Sequence, residues 1–330
     1  MKAFEMRLPA SLEEAIALLP TAEGDESSRL VAGGQDLLTE LKHHLVEPER
    51  LVNLKSIPGL AGATWGSDGS LTLGALTTLQ DIYEDQRIVT TFPALAEAAR
   101  SVASPQIRAV GTIGGNLNQR PRCWYYRAEE MVCLKKGGRE CFSQFGRNKY
   151  NAILGAGPSW IVHPSDTAPA LVALNASVEI VGPSGKRTSS MQDYFTLPSS
   201  GNVLRETTLA PNEVLTRITI PAPAMGSKST YLKFKERSSY DFAVGAVALN
   251  LTLDGRKITA ARIVLGAVAP TPWRVEEVEA RLIGRDLNDE TIELAREGAL
   301  AGAAPLSENG YKVPLTKGLI TRAFRAISRS

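Results

Sequence analysis

Residues 101–127 read SVASPQIRAVGTIGGNLNQRPRCWYYR, and this segment restricts the fold more than any other in the 330-residue chain. Pro105 breaks a helix entering it, because proline has no amide hydrogen to continue the backbone ladder. Gly114 and Gly115 then stand behind Thr112 and Ile113 and before Asn116. A paired glycine has no Cβ, so backbone there can approach a ligand closely. Its successive N–H groups can also line an anion-binding concavity. Most Gly-Gly pairs are ordinary turns, so the meaning of this one depends on the rest of the chain. Immediately after it, RPRCWYYR sets Cys123 among Arg120, Arg122, Arg127 and three aromatic residues.

A second glycine pair has a clearer frame. Ser28 to Ala32 reads as a buried strand, Gly33-Gly34-Gln35-Asp36 as a turn, and Leu37 to Leu45 as an amphipathic helix. Strand, Gly-Gly turn and helix together present backbone N–H groups to a phosphate. The spacing is not G-x-G-x-x-G, which excludes a Rossmann dinucleotide site. Upstream, Phe4 to Leu8 is a short strand. Ser11 and Glu14 form a capping box for a helix that runs to Leu19 and stops at Pro20. With Leu51 to Leu54 as a further strand, residues 1–60 make an α/β unit on a small parallel sheet. His43 and His44 fall late in a helix, where positive charge suits the terminus.

Residues 61–222 form a second unit. Ser70 to Gly74 alternates as a strand, Thr77 to Asp85 begins a helix, and Phe92 to Ser101 is an alanine-rich helix. Residues 122–160 lack periodicity, and a stretch of this length inside a compact domain is usually functional or disordered. Order returns at Trp160, followed by His163-Pro-Ser-Asp166 and a helix from Thr167 to Leu174. Gly182 to Gly185 reads as the turn of a hairpin, and Val214 to Ile220 as a strand. Pro221-Ala-Pro-Ala-Met-Gly226 is the best domain boundary. It separates residues 1–222 from a third unit, 226–330, with strands at Tyr231–Lys235, Ala246–Leu253 and Ile258–Leu265. Asp254-Gly255 reads as the turn of a hairpin between the last two of these strands. Helices at Arg274–Leu282, Asn288–Ala301 and Pro314–Ile327 complete the chain.

A net charge of +2 is too near neutral for a nucleic-acid protein. No run of about 18 apolar residues is present, so no membrane span is expected. The amino-terminal text has no signal-peptide pattern, which points to the cytoplasm. Export on a signal-bearing partner, into the periplasm, is the alternative. The three cysteines, Cys123, Cys133 and Cys141, are odd in number and confined to one segment. That argues against a disulfide framework and for metal or cluster ligation or redox chemistry.

AGGQDLL at 32–38, ASPQIRAVGTIGGNL at 103–117, HPSDTAPAL at 163–171 and PNEVLTRITIP at 211–221 resemble, in order and spacing, the flavin-binding medium subunit of molybdenum hydroxylases. That family includes xanthine, carbon monoxide and aldehyde dehydrogenases. The resemblance implies an α+β chain: a vanillyl-alcohol-oxidase (PCMH)-type FAD-binding fold of two α/β subdomains, then a C-terminal domain of antiparallel strands and helices. It implies FAD extended between the subdomains. Ala32, Gly33, Gly34, Gln35, Asp36 and Leu37 would hold the pyrophosphate on one side. Ser104, Thr112, Ile113, Gly114, Gly115 and Asn116 would cover it from the other, so that two clusters of N–H donors share the phosphate charge. Asp166 would accept from a flavin or sugar hydroxyl, and Lys235 would reach the flavin. For Asp166 the plainer reading is a helix N-cap. Thr77, Thr78, Tyr194 and Phe195 are core or cap residues first.

The cysteine segment narrows the resemblance to subunits related to aldehyde oxidoreductase and 4-hydroxybenzoyl-CoA reductase. There an insertion carries a [4Fe-4S] cluster on four cysteines. Cys123, Cys133 and Cys141 match three of them, and Ser159 stands at the fourth position. Three outcomes stay open: an oxygen or nitrogen donor such as Ser159 or His163 completes the cluster, a three-iron cluster forms, or the loop persists without one. The implied role is electron transfer without a catalytic residue of its own. A molybdenum-cofactor large subunit would act on an aldehyde or an N-heterocyclic or aromatic substrate. A [2Fe-2S] small subunit would relay electrons to this chain, and an external acceptor would take them. The alternatives are a stand-alone FAD oxidase or reductase of the same fold and a flavin-free iron–sulfur or zinc module.

Overall fold

The structure, a computed structural model, describes residues 1–200 and 202–329. The amino-terminal unit holds β1 (Glu5–Arg7), β2 (Ser28–Val31) and β3 (Arg50–Asn53), paired in parallel in the order β1-β3-β2. Helices Leu12–Ala17 and Leu37–Lys42 are its crossovers. Neighbouring residues of a strand face opposite sides. Leu51 accordingly packs with Leu41 and Val46, while Val52 packs with Ala15, Leu19 and Leu54. Ser11 caps the first helix, its Oγ accepting from Glu14 N at 3.2 Å. Glu14 reaches back to Ala10 N at 2.7 Å instead of to Ser11, so the expected box closes on one side only.

The second unit has β4 (Ala63–Trp65), β5 (Leu71–Gly74), β6 (Ser177–Gly182), β7 (Gly185–Ser190) and β8 (Val214–Ile220). They form one antiparallel sheet in the order β4-β5-β8-β6-β7. The hairpin read around Gly182 to Gly185 is present, with those two glycines in register. Leu71, Leu73, Val178, Ile180, Ile218 and Ile220 meet helices Leu79–Glu84, Pro93–Ser101 and Thr167–Ala173 in one core. Pro105 does end helical continuity, and then opens a new helix, Pro105–Val110, where its missing N–H is not needed.

An irregular stretch leads from Ile220 to the third sheet, β9 (Ser227–Phe234), β10 (Gly245–Asp254), β11 (Lys257–Gly266) and β12 (Trp273–Arg274), antiparallel in the order β12-β11-β10-β9. Along β10, Ala246 and Ala248 join the core of the second unit. Val247, Leu249 and Leu251 face helix Lys312–Arg329 and its neighbours. The period-two pattern thus buries both faces, one against each unit. Among the described residues no helix is long and apolar enough to cross a membrane.

Candidate functional site: a cleft between two glycine turns

Gly33 and Gly34 connect β2 to helix Leu37–Lys42. A Cβ on Gly33 would lie 2.3 Å from the Val110 carbonyl oxygen and 3.0 Å from Gly111 Cα, so this turn rests directly on the backbone leading into the second one. Gly34 has φ +71°, a conformation that suits glycine. Among the described residues, the N–H groups of Gly33, Gly34, Gln35, Asp36 and Leu37 donate to nothing within the chain. A run of unpartnered amides at the wall of a cleft is what an anionic ligand satisfies.

The second turn is built differently. Thr112 caps a one-turn helix, Ile113–Leu117, and its Oγ1 accepts from Gly115 N at 3.1 Å. Ile113 N donates to Thr77 O (2.9 Å), Gly114 N to Ala75 O (2.8 Å) and Asn116 N to Thr112 O (2.9 Å). All four amides are consumed, which corrects the expectation of a second N–H cluster. Glycine is required for proximity instead. A Cβ at Gly114 would sit 2.8 Å from Ala75 O, whereas one at Gly115 would meet only Thr112 Oγ1, at 3.0 Å. The Asn116 side chain fixes the turn to the third motif, its Oδ1 accepting from Ser165 Oγ (2.6 Å) and Thr167 Oγ1 (2.7 Å).

Between the turns lies a cleft of about 890 Å3, at the upper end of the usual size of small-molecule sites. Ala32 to Leu37, Thr112, Gly114, Gly115, Asn116 and Asp166 line it. Ile113 is buried beneath it, and Ser104 heads the adjoining helix without reaching it. Thr78 forms a complete capping box with Asp81, Thr77 bonds to Gly62, and Tyr194 donates to Asn118 Oδ1 at 2.6 Å. They are cap and core residues, as read.

The floor of the cleft is an ionic network that sequence reasoning did not resolve. Asp36 leaves its N-cap position unused. Its carboxylate accepts from Arg122 Nη1 (2.8 Å), Arg127 Nη2 (2.9 Å) and Arg120 N (2.6 Å). Arg120 also pairs with Glu206 at 2.8 Å, and Lys135 pairs with the same carboxylate. Tyr126 receives from Arg120 Nε (2.9 Å) and donates to Glu40 (2.8 Å), whose pKa burial raises, with Asp36 adding to the effect. Arg120, Arg122, Arg127 and Lys135 thus face Asp36, Glu40 and Glu206, so the basic side chains of the floor are held by acidic partners. These arginines are tied down and largely buried.

Arg122, Pro164 and Asp166 also line a second cavity of about 370 Å3. Asp166 does not cap the helix behind it; Ser165 Oγ does, accepting from Ala168 N at 3.0 Å. Asp166 accepts from Tyr231 OH (2.7 Å) and pairs with Lys233 Nζ (2.8 Å). Alternation puts Tyr231, Lys233 and Lys235 on one face. Lys235 lies just past the end of β9, and neither lysine lines either cavity; the one that pairs with Asp166 is Lys233. His163 lines the second cavity. Burial lowers its pKa to about 4, so the ring is neutral, and its Nδ1 accepts from Ser165 N at 3.3 Å.

Cys123 borders this cavity and a third, small one, which Cys133, Cys141 and Ser159 also line. All three thiols are free. Burial pushes Cys123 and Cys133 up, and nearby Cys141 adds to both. Ser159 is fully buried and its Oγ has no hydrogen-bond partner. Among the described residues, no three His, Cys, Asp or Glu side chains are arranged to hold a metal ion. His163 is not at this cavity.

The family model of the FAD binding domain in molybdopterin dehydrogenase matches residues 2–223. The chain belongs to this family. That of the CO dehydrogenase flavoprotein C-terminal domain matches residues 229–327, so the two family domains follow one another along the chain. The aldehyde oxidoreductase FAD-binding subunit PaoB of Escherichia coli (strain K12) is 32% identical over 321 residues, 96% of each chain. The carbon monoxide dehydrogenase medium chain of Hydrogenophaga pseudoflava is 30% identical over 329 residues, 98% of this chain and 96% of that one. Among solved structures, reconstituted CO dehydrogenase from Oligotropha carboxidovorans contains a chain that superposes with a TM-score of 0.77 at 30% identity, over 99% of both chains. The family fold is the mixed helix-and-sheet architecture described above, with an antiparallel C-terminal sheet.

Proposed function

We propose that the chain is the FAD-binding electron-transfer subunit of a molybdenum hydroxylase complex. The observation that carries this is the row of unpartnered amides from Gly33 to Leu37 on the wall of the cleft between the two glycine turns. A diphosphate is the ligand class that such a wall satisfies. FAD, when bound, supplies the redox chemistry. The residues of the chain position it. The first glycine turn donates to the pyrophosphate, and Gly114 and Gly115 admit it closely from the opposite side. The Arg122–Asp36–Arg127 pairing holds the first turn against the cysteine segment. Asp166, fixed by Tyr231 and Lys233, offers acceptor oxygen where the two larger cavities meet. No side chain is asked to act as acid, base or nucleophile.

The names of the relatives support the complex this reading places around the chain. A molybdenum-cofactor large subunit oxidises an aldehyde or an N-heterocyclic or aromatic substrate. A [2Fe-2S] small subunit relays the electrons, and an external acceptor receives them. The cytoplasm is the proposed compartment, with three unpaired cysteines in keeping with it. The proposal extends to an iron–sulfur cluster on Cys123, Cys133 and Cys141. Three thiols and an orphaned buried hydroxyl line one cavity there; at about 10 Å3, with no three ligands arranged for a metal among the described residues, it would have to open to take a cluster. The segment around the cavity is made of turns and single helical turns, so widening it disturbs no sheet.

The test is the visible spectrum of the purified chain, together with co-purification from its source. Flavin bands with a broad iron–sulfur shoulder, and two larger and smaller partner chains, are expected. A colourless chain that rejects FAD overturns the proposal, and a lone flavoprotein reduced by its own organic substrate replaces it with a stand-alone enzyme.

A further inference from the structure

We infer that Asn309, Tyr311 and Lys312 are positioning residues that hold the aromatic wall of the second cavity in place for the flat ring system of FAD. This rests on the FAD reading above. The cavity of about 370 Å3 joins the cleft at Arg122, Pro164 and Asp166, and Trp124, Tyr150 and Phe242 bring aromatic rings to its wall. With the diphosphate on the first glycine turn, an aromatic-walled chamber joined to the cleft suits the ring end of FAD. Tyr150 lies in a stretch, 145–166, that has no helix or strand to fix it. Side chains at the start of helix Lys312–Arg329 fix it instead. Tyr311 OH donates to Lys149 O (2.9 Å) and Lys312 Nζ to Tyr150 O (2.7 Å). Asn309 Nδ2 donates to Asn151 O (3.1 Å) and Ala152 O (3.2 Å). Four successive carbonyls are thus taken by three side chains.

Lys312 also donates to Ala267 O (2.8 Å), and Ala267 lines the same cavity, so one amine ties two parts of its wall together. Asn309 and Lys312 are fully buried. Among the described residues no carboxylate pairs with Lys312, and burial lowers its pKa to about 7. Near neutral pH the amine is therefore in good part uncharged, and its two N–H donors match the two carbonyls. An apolar side chain would fill the same space at lower desolvation cost but would hold neither carbonyl. The other end of Tyr150 is fixed as well: its hydroxyl donates to Glu236 at 2.8 Å, and its ring meets Trp124 edge-on with centroids 5.5 Å apart.

The experiment uses the full chain, stripped of flavin, as wild type, Lys312→Met and Tyr311→Phe. Each is titrated with FAD and, separately, with ADP, which carries the diphosphate but no flavin ring. Lys312→Met is expected to raise the FAD dissociation constant about tenfold, with ADP affinity unchanged and the fine structure of the bound-flavin absorption band blurred. Tyr311→Phe gives the same split at about threefold. It removes one hydrogen bond from a half-buried side chain, so it decides the matter if Lys312→Met does not fold. A purely structural role lowers the melting temperature and leaves the ratio of FAD to ADP affinity as in wild type. A wild-type ratio in Lys312→Met, or in Tyr311→Phe where the methionine variant does not fold, overturns the assignment. If the wild type binds ADP as tightly as FAD, the ring gains nothing from the second cavity and the assignment alone is overturned. If the wild type binds neither, the FAD reading itself fails and the assignment falls with it.

Discussion

Replacing Gly33 by alanine tests how closely the two glycine turns must approach. The new methyl carbon would stand 2.3 Å from Val110 O and 3.0 Å from Gly111 Cα. Ordinary contact begins near ~3.5 Å, so the turns must part by about 1 Å. The obstacle cannot swing aside. It is backbone, held by Gly111 N donating to Ile107 O at 2.7 Å and by Leu79 N donating to Gly111 O at 2.9 Å. Such overpacking costs about 1–3 kcal/mol, which lowers the melting temperature by about 2–10 °C for a domain of this size. Displacing the amides of Gly33 and Gly34 also weakens one or two hydrogen bonds to phosphate, each worth about 1.5–3 kcal/mol. At about 1.4 kcal/mol per decade, the FAD dissociation constant rises roughly ten- to a hundredfold. Flavin fluorescence titration and thermal melts with and without FAD read both quantities. Gly302, with open space around it, supplies the control: its alanine variant should change neither. A Gly33→Ala chain with wild-type affinity and melting point would refute the close apposition of the turns and the role of their amides.

Other perturbations follow from the same geometry. Asp36→Asn removes the anion between Arg122 and Arg127, with a loss of about 2–3 kcal/mol by urea unfolding, moderated by partial solvation. Lys233→Met strands the Asp166 carboxylate and costs about 3–5 kcal/mol, because both side chains are 4% exposed; Lys235→Met should stay within about 0.5 kcal/mol, and equal effects of the two would disprove the assignment. Burial holds His163 near pH 4, below its ordinary 6.5, so the unfolded chain takes up the proton first. Stability from this group is therefore fully present above pH 6.5 and lost as pH falls toward 4, by about 3 kcal/mol in all. His163→Gln should abolish that share of the slope in unfolding measured across pH 4–7, and an unchanged slope would contradict a buried neutral ring.

The strand–Gly-Gly–helix text around Gly33 could be read directly, because each part is a local preference that the fold leaves intact. So could the Asp254-Gly255 hairpin, where the turn residues and the alternation on both sides agree. The second turn shows where local text stops informing. Its glycines are visible in the sequence, but that their amides bond to Ala75 O and Thr112 Oγ1 depends on a segment some forty residues earlier as well as on a local cap. Asp166 looked like an N-cap from its position before Thr167. Ser165 takes that role, and the carboxylate turns to a strand of the third sheet instead. The choice of Lys233 over Lys235 follows from where β9 ends and how it lies on the second unit. Both lysines share the period-two face, so alternation alone could not separate them. The arginines of RPRCWYYR were equally ambiguous until folding set Asp36 between them.

The central claim is that FAD lies between the two glycine turns with its pyrophosphate on the amides of Gly33 to Leu37. A crystal structure of the chain with FAD tests it most directly. The account predicts pyrophosphate oxygens within about 3.2 Å of those backbone nitrogens, with Gly114 and Gly115 in van der Waals contact on the opposite side. A pyrophosphate held elsewhere, with the amides of the first turn still unpartnered, would contradict it.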